Sequence, residues 1–103
     1  MSALTNCLLI EAKAIANTAE KLDHHQVETT FDLLKSCIKS RGKLITSGVG
    51  KSGIVARKIA ATFSSLGLTS LYLNPLDALH GDLGIAESDD VALVISNSGE
   101  TRE

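Results

Sequence analysis

Apolar residues recur at helical spacing through residues 4–38 of the chain. A polar interruption at residues 23–26 divides them into two sets. Each set places its apolar side chains on one face of a helix, so the pattern predicts two amphipathic helices. His24 and His25 lie in the predicted break between the helices and are expected to be surface residues. The apolar positions are Leu4, Leu8, Leu9, Ala12, Ile15, Ala16, Ala19 and Leu22, then Val27, Phe31, Leu34 and Ile38.

Three short segments predict strands at residues 43–47, 69–73 and 91–95. Residues 91–95 are apolar at every position, which is typical of a parallel strand covered on both faces. A further helix is predicted between the first two strands, ending at Gly67. The order is helix, helix, strand, helix, strand, a loop with room for a short helix, and strand. This order predicts an α/β doubly wound fold with a parallel sheet.

The length of 103 residues allows one small domain at most. The longest apolar run is far shorter than the roughly 18 residues of a membrane span. The N-terminus also lacks the charged and apolar stretches of a signal peptide. We therefore expect a cytoplasmic protein without a membrane partner. The net charge of −2 and the 3% aromatic content favour no nucleic-acid partner either.

The two cysteines, Cys7 and Cys37, occupy apolar positions of the two predicted helices. They have no Cys-x-x-Cys spacing, so we expect buried thiols in a reducing compartment. His80 has no second ligand at a known metal-site spacing. We expect no metal and no cofactor.

The charges are unevenly distributed along the chain. Residues 33–76 contain seven basic residues and no acidic one, whereas residues 77–103 contain seven acidic residues and only Arg102 as a basic one. A small anion is therefore electrostatically favoured near the middle segment.

A glycine-rich loop follows the first predicted strand, with the letters Gly48-x-Gly50-x-x-Gly53 of a dinucleotide fingerprint. That fingerprint also needs an acidic residue about twenty positions on, where this chain has none before Asp77. A nucleoside-triphosphate loop needs a glycine at the position that Ile45 occupies here. What remains is a tight strand-to-helix turn whose backbone amides can approach an anion.

In this turn Lys51 and Ser52 lie at the start of the predicted helix. Each also has a plain alternative, because Lys51 can be a solvated cation and Ser52 a helix cap.

A second polar loop starts directly after the third strand, where ligands of open parallel sheets bind. Its hydroxyl and amide groups could hold a phosphate monoester, each donor contributing roughly 1.5–3 kcal/mol. The alternative is that Ser98 or Thr101 caps a following helix. The residues of this loop are Ser96, Asn97, Ser98, Gly99, Glu100 and Thr101.

Together these segments resemble a known family, the sugar isomerase (SIS) domain. The second loop is similar to its Ser-x-Ser-Gly-x-Thr phosphate signature. The first loop, residues 58–67 and the His-Gly-Asp-Leu-Gly sequence at residues 80–84 resemble one branch, the arabinose-5-phosphate isomerases. The resemblance implies a three-layer αβα sandwich with a flavodoxin-like sheet. Residues 1–41 are then an N-terminal helical segment, and residues 42–103 the first half of an SIS domain, incomplete after the third strand.

The resemblance implies an aldose–ketose isomerase that interconverts D-arabinose 5-phosphate and D-ribulose 5-phosphate through an enediol. This reaction would supply a sugar-acid precursor of bacterial lipopolysaccharide or capsule. A non-catalytic sugar-phosphate sensor and an isomerase of another phosphosugar stay open as alternatives. The implied partners are a phosphosugar and further copies of the chain in a dimer or tetramer, with the opening helices as the packing surface.

The resemblance also implies roles for single residues. Lys51 would supply a positive charge to the phosphate or the enediolate, His80 would move a proton during ring opening, and Glu103 would be the base. The expected phosphate and substrate contacts are Gly48, Gly50, Ser52, Ser96, Asn97, Ser98, Gly99 and Thr101.

Overall fold

The computed structural model describes residues 2–76 and 82–96. Their elements follow the predicted order and confirm the α/β fold with a parallel sheet. The elements are helix α1 (Ala3–Lys21), helix α2 (His24–Lys39), strand β1 (Leu44–Gly48), helix α3 (Lys51–Ser65), strand β2 (Ser70–Tyr72), a 3-10 helix (Asp82–Ile85) and strand β3 (Val91–Ile95).

The chain forms two compact units, one ending at Asp32 and the other beginning at Leu33. The first unit contains α1, whose N-terminus is capped by the Ser2 hydroxyl, which accepts a hydrogen bond from the Thr5 N–H at 3.1 Å. None of the side chains of α1 is buried, so the prediction of a buried thiol at Cys7 is wrong. The packing of the opening helices against another copy stays a prediction, as does the domain boundary after residue 41.

Helix α2 begins earlier than the polar interruption suggested. The Asp23 carboxylate accepts hydrogen bonds from the N–H groups of His25 and Gln26, at 2.9 and 3.2 Å, as an N-cap residue does. The break between the helices is therefore limited to Leu22 and Asp23, and His24 and His25 lie in the first turn of α2. Both histidines are exposed, as expected.

No helix in the described ranges has both the length and the hydropathy needed to cross a bilayer.

The sheet has the order β2-β1-β3, with both pairs parallel. This is the order that a flavodoxin-like sheet has at its first three strands. Its central strand β1 is buried at Leu44, Ile45 and Thr46. The Thr46 hydroxyl donates to the Ala56 carbonyl at 2.7 Å, which gives the one buried polar side chain of β1 a partner on α3.

The core of the second unit lies where α2 ends, β1 begins and α3 ends. Its buried centre consists of Cys37, Leu44 and Leu68. The prediction that the Cys37 thiol is buried is therefore confirmed. Gly67 has φ 99° and closes α3, as predicted. In this turn the Gly67 N–H donates to the Ser64 carbonyl and the Leu68 N–H to the Phe63 carbonyl, which is the Schellman pattern.

An ion pair joins β1 and β3 where both strands begin. The Lys43 ammonium lies 2.6 Å from the Asp90 carboxylate, which also accepts from the Lys43 and Glu87 backbone N–H groups, each at 2.8 Å. The hydrogen bonds from the Lys43 ammonium and backbone lower the pKa of Asp90 to about 2. The same pair raises the pKa of Lys43. This cluster fixes the register in which Leu44 faces Val91.

Strand β3 differs from its prediction in burial. Its bounds are those predicted, but Leu93 is 38% and Val94 70% exposed. The reason is its place in the sheet, because among the described residues β3 is an edge strand whose main contacts are with β1 and α3. A fully apolar strand thus predicted coverage that the described residues do not provide.

Candidate functional site

The turn from β1 to α3 is built on Gly50. This residue has φ 62° and ψ −129°, a conformation that residues with a side chain rarely adopt, and no atom lies within 4 Å of the Cβ position. It is the N-cap of α3 and provides no side-chain cap bond. The alternative in which Ser52 caps the helix is therefore wrong, since Ser52 is the second residue of α3.

The other two glycines of the loop allow the strand and the helix to touch. A Cβ atom on Gly53 would lie 2.6 Å from the Gly48 carbonyl oxygen, and one on Gly48 would lie 2.8 Å from the Ser52 carbonyl group. Neither position has room for a side chain without a backbone shift. The fingerprint spacing therefore reflects a close strand-to-helix turn, which serves any anion at the helix start and is not specific for a dinucleotide.

Lys51 and Ser52 start α3 beside the end of β3. Gly48 and Ile95 pair in the sheet, so Val49 and Ser96 leave it at the same edge. A cavity of about 430 Å³ opens between these two strand ends. Its lining consists of Val49, Lys51, Ser52, Val55 and Ile95.

This edge favours a negative charge. The first N–H groups of a helix lack partners within the helix and carry a partial positive charge. The Lys51 ammonium adds a full positive charge on an exposed side chain at the same helix end. The structure thus brings together Gly48, Gly50, Lys51 and Ser52, with Ser96 following β3 at the same edge. Such an arrangement can bind a phosphate group.

A second cavity, of about 280 Å³, lies on the β2 side of the same loop. Tyr72 and Arg57 belong to its lining. The Tyr72 hydroxyl donates to the Gly48 carbonyl at 2.8 Å, and the Arg57 guanidinium carbon lies 4.7 Å from the centre of the Tyr72 ring. Neither residue was predicted from the sequence. The available signal was the only tyrosine of the chain, in the strand that follows the glycine loop.

The remaining predicted site residues lie outside the described residues. Their roles stay predictions. They are His80, Asn97, Ser98, Gly99, Thr101 and Glu103. Within residues 2–76 and 82–96, no three His, Cys, Asp or Glu side chains come together as a metal site.

Comparisons with known proteins show which family this chain is similar to. The family model of the SIS domain matches residues 37–103. Arabinose 5-phosphate isomerase KpsF of Escherichia coli O6:H1 strain CFT073 is 39% identical over 103 residues, which are 100% of this chain and 31% of the relative. The chain spans about a third of the length of the curated relatives it matches.

Two solved structures share the fold. One is a Bacteroides fragilis protein to which a phosphosugar isomerase role in capsule formation is attributed, with a TM-score of 0.88 and 42% identity over 97% of this chain and 51% of that one. The other is a protein of Escherichia coli CFT073 solved in complex with arabinose 5-phosphate. Its TM-score is 0.77 and its identity 40%, over 98% of this chain and 55% of that one.

Proposed function

Because this chain belongs to the SIS-domain family, we propose that the protein is a phosphosugar isomerase that interconverts D-arabinose 5-phosphate and D-ribulose 5-phosphate. The observation that carries the proposal is the shared edge at which Lys51 and Ser52 start α3 beside the end of β3. Two relatives support the choice of sugar, since one is named an arabinose 5-phosphate isomerase and the other is solved with arabinose 5-phosphate bound.

The reaction moves a proton between neighbouring carbons of the open-chain sugar. A base removes the proton from C2, the electrons of that bond form the C1=C2 double bond, and O1 takes up the negative charge. A proton then returns to C1, while the O2 proton is transferred to O1 and leaves the ketone at C2. The site must therefore provide a base, a stabiliser for the enediolate and an anchor for the phosphate.

The described edge provides the positive charge that two of these tasks require. Lys51 is exposed and lines the cavity beside Ile95, and Ser52, the second residue of α3, lines the same cavity. A charge-assisted hydrogen bond from either residue to a phosphate or enediolate oxygen would contribute about 1.5–3 kcal/mol. We infer that Lys51 stabilises one of these oxygens and that the start of α3 holds the phosphate together with the loop that Ser96 begins.

The proton-transfer roles rest on the sequence resemblance alone. We propose Glu103 as the base at C2 and His80 as the group that moves a proton when the sugar ring opens. A carboxylate suits the first role if its surroundings hold its pKa near the working pH.

The test compares two lysines of the same helix. Lys51→Ala removes the cation of the cavity, whereas Lys58→Ala removes an exposed cation of α3 that does not line it. In the purified protein at its natural length, we expect Lys51→Ala to lower kcat/KM for D-arabinose 5-phosphate by about 100-fold, the usual effect of losing one donor to a developing oxyanion. Lys58→Ala should retain the kcat/KM of the unchanged protein.

A panel of aldose and ketose phosphates separates the proposal from its alternatives. Turnover of a different phosphosugar, with none of D-arabinose 5-phosphate, would overturn the choice of substrate. Binding without turnover of any of these sugars would favour the non-catalytic sensor. Equal activities of Lys51→Ala and Lys58→Ala would remove Lys51 from the reaction.

A further inference from the structure

The carbonyl group of Gly48 lacks its regular partner in the sheet. Along the β1–β2 pair, the Leu44 N–H donates to the Thr69 carbonyl and the Leu73 N–H donates to the Thr46 carbonyl, each at 2.8 Å. The register of this pair ends at Thr46 and Tyr72. Continued for two more residues, the same alternation would make the N–H of residue 75 the donor to the Gly48 carbonyl. Residue 75 is Pro75, which has no N–H. Because Gly48 is buried, an unpaired carbonyl here would be costly.

The Tyr72 hydroxyl takes the place of the missing donor. It donates to the Gly48 carbonyl oxygen at 2.8 Å. The same hydroxyl would lie 3.1 Å from a Cβ atom on Gly53, so it sits where the end of β1 meets the first turn of α3. Arg57, two turns into α3, lies over the tyrosine ring at 4.7 Å and holds the ring by a cation–π contact.

We propose that Tyr72 is a positioning residue, whose hydroxyl fixes the Gly48 carbonyl in place of the absent N–H of Pro75 and thereby holds the loop that presents Lys51 and Ser52. The part of this proposal that concerns sugar binding rests on the proposed function. The part that concerns the loop rests on the hydrogen bond and the ladder alone. Tyr72 acts through the backbone, without direct contact to the sugar.

The variant Tyr72→Phe tests the role because it removes only the hydroxyl. The ring that packs under Arg57 is retained, so the chain is expected to fold. We expect the Kd for D-arabinose 5-phosphate, measured by calorimetry on the protein at its natural length, to rise about three- to tenfold. We also expect faster amide hydrogen exchange in residues 49–53, since the loop loses the bond that anchors its first carbonyl.

Ser64→Ala is the matched control. The Ser64 hydroxyl donates to the Ser70 carbonyl at 3.0 Å and so also joins α3 to β2, but at the opposite end of the strand. This variant should leave the Kd and the exchange of residues 49–53 unchanged. A general weakening of the α3–β2 contact would instead move both variants alike.

The double variant Tyr72→Phe/Lys51→Ala shows whether Tyr72 acts through the loop. If it does, Tyr72→Phe should raise the Kd by a smaller factor in the Lys51→Ala background than in the unchanged protein, because coupled residues do not add. Equal factors in the two backgrounds would overturn the proposal.

The exchange measurement separates this proposal from the proposed function. Unchanged exchange of residues 49–53 in Tyr72→Phe would overturn the part of the proposal that concerns the loop. Faster exchange with an unchanged Kd would overturn the part that concerns sugar binding. Failure of the unchanged protein to bind D-arabinose 5-phosphate would overturn the proposed function, while the exchange rates would still decide whether Tyr72 holds the loop.

Discussion

At the scale of single residues, the three glycines of the first loop are required for different structural reasons. Position 50 requires glycine because its φ is positive, although a Cβ atom there would meet no other atom. Positions 48 and 53 require glycine because the backbones of β1 and α3 are in contact there. The sequence pattern predicted the turn but did not assign these roles, since the same letters occur in loops for several phosphates. The assignment depends on how closely α3 returns to β1, which only the folded chain shows.

The contact at Gly53 predicts a loss of stability for Gly53→Ala. The added methyl group would meet the Gly48 carbonyl oxygen at 2.6 Å, and such overpacking costs about 1–3 kcal/mol. The better helix propensity of alanine offsets at most about 1 kcal/mol of this cost. We expect the free energy of unfolding, measured with urea, to fall by about 1–2 kcal/mol.

Gly84→Ala is the control for that substitution. Gly84 lies in the 3-10 helix, is exposed and has no atom within 4 Å of its Cβ position. The free energy of unfolding of the Gly84→Ala variant should stay within about 0.5 kcal/mol of the value for the unchanged protein. Identical urea midpoints for Gly53→Ala and Gly84→Ala would contradict the close contact at the loop.

Residue-scale chemistry was predicted unevenly from the sequence. Lys51 and Ser52 were predicted as site residues because they follow a glycine loop at a predicted helix start, and the structure confirms that position, while their role stays a prediction. Tyr72 and Arg57 were missed, because a contact across two elements depends on the register of β2 and the rotation of α3. Cys7 was wrongly predicted as buried, since an apolar helical pattern does not tell whether another element covers it.

At the scale of elements, the strands were predicted to within a few residues. Strand β1 was expected at residues 43–47 and is Leu44–Gly48, yet the Lys43 carbonyl still accepts from the Val91 N–H at 3.1 Å. Strand β2 is shorter than residues 69–73, although Thr69 and Leu73 keep hydrogen bonds to β1. The residue pattern thus located the strands. Their ends depend on hydrogen bonds that the pattern does not contain.

The ion pair at the start of β1 and β3 predicts that the free energy of unfolding depends on pH in the acidic range. The pKa of Asp90 is about 2 in the folded chain, below its ordinary value of 3.8, because its carboxylate accepts bonds from Lys43. A lowered pKa stabilises the fold above the ordinary value, and this contribution is lost as the pH falls from about 4 to about 2. We expect the free energy of unfolding to fall over this range in the unchanged protein and to fall less in Asp90→Asn.

Asp89→Asn is the control for Asp90→Asn. It removes the same charge from an exposed neighbour whose side chain has no hydrogen bond like those of Asp90 to Lys43. The variant should therefore keep the acid dependence of the unchanged protein. Parallel curves for Asp90→Asn and the unchanged protein between about pH 4 and about pH 2 would show that the ion pair does not set the stability of the β1–β3 pair.

At the scale of the whole molecule, two lysines of the basic middle segment lie at opposite ends of strand β1. Lys43 is paired with Asp90 where β1 begins, whereas Lys51 stands at the opposite end of the same strand beside the cavity. The basic middle segment predicted that an anion would bind nearby, which stays a prediction, but the sequence did not show which of its cations lies at the cavity. The fold makes that selection, because α3 starts at the carboxyl edge of the sheet.

The coverage of the sheet was the least predictable feature of the whole molecule. The chain spans about a third of the length of its curated relatives, and Val94 is 70% exposed on β3. Hydrophobic pattern predicts which residues favour burial but not which segment covers them. The SIS-domain match confirms the family and the two structural neighbours confirm the fold, while the reaction itself is a proposal.

The most direct test of the proposed reaction follows the C2 proton of D-arabinose 5-phosphate by NMR, with the protein at its natural length in heavy water. A proton transfer through an enediol predicts loss of the C2 proton signal, deuterium at C1 of newly formed D-ribulose 5-phosphate, and a much slower exchange with Lys51→Ala than with Lys58→Ala. Bound sugar that keeps its C2 proton and forms no ketose would contradict the account and identify the cavity as a site for sugar-phosphate binding alone.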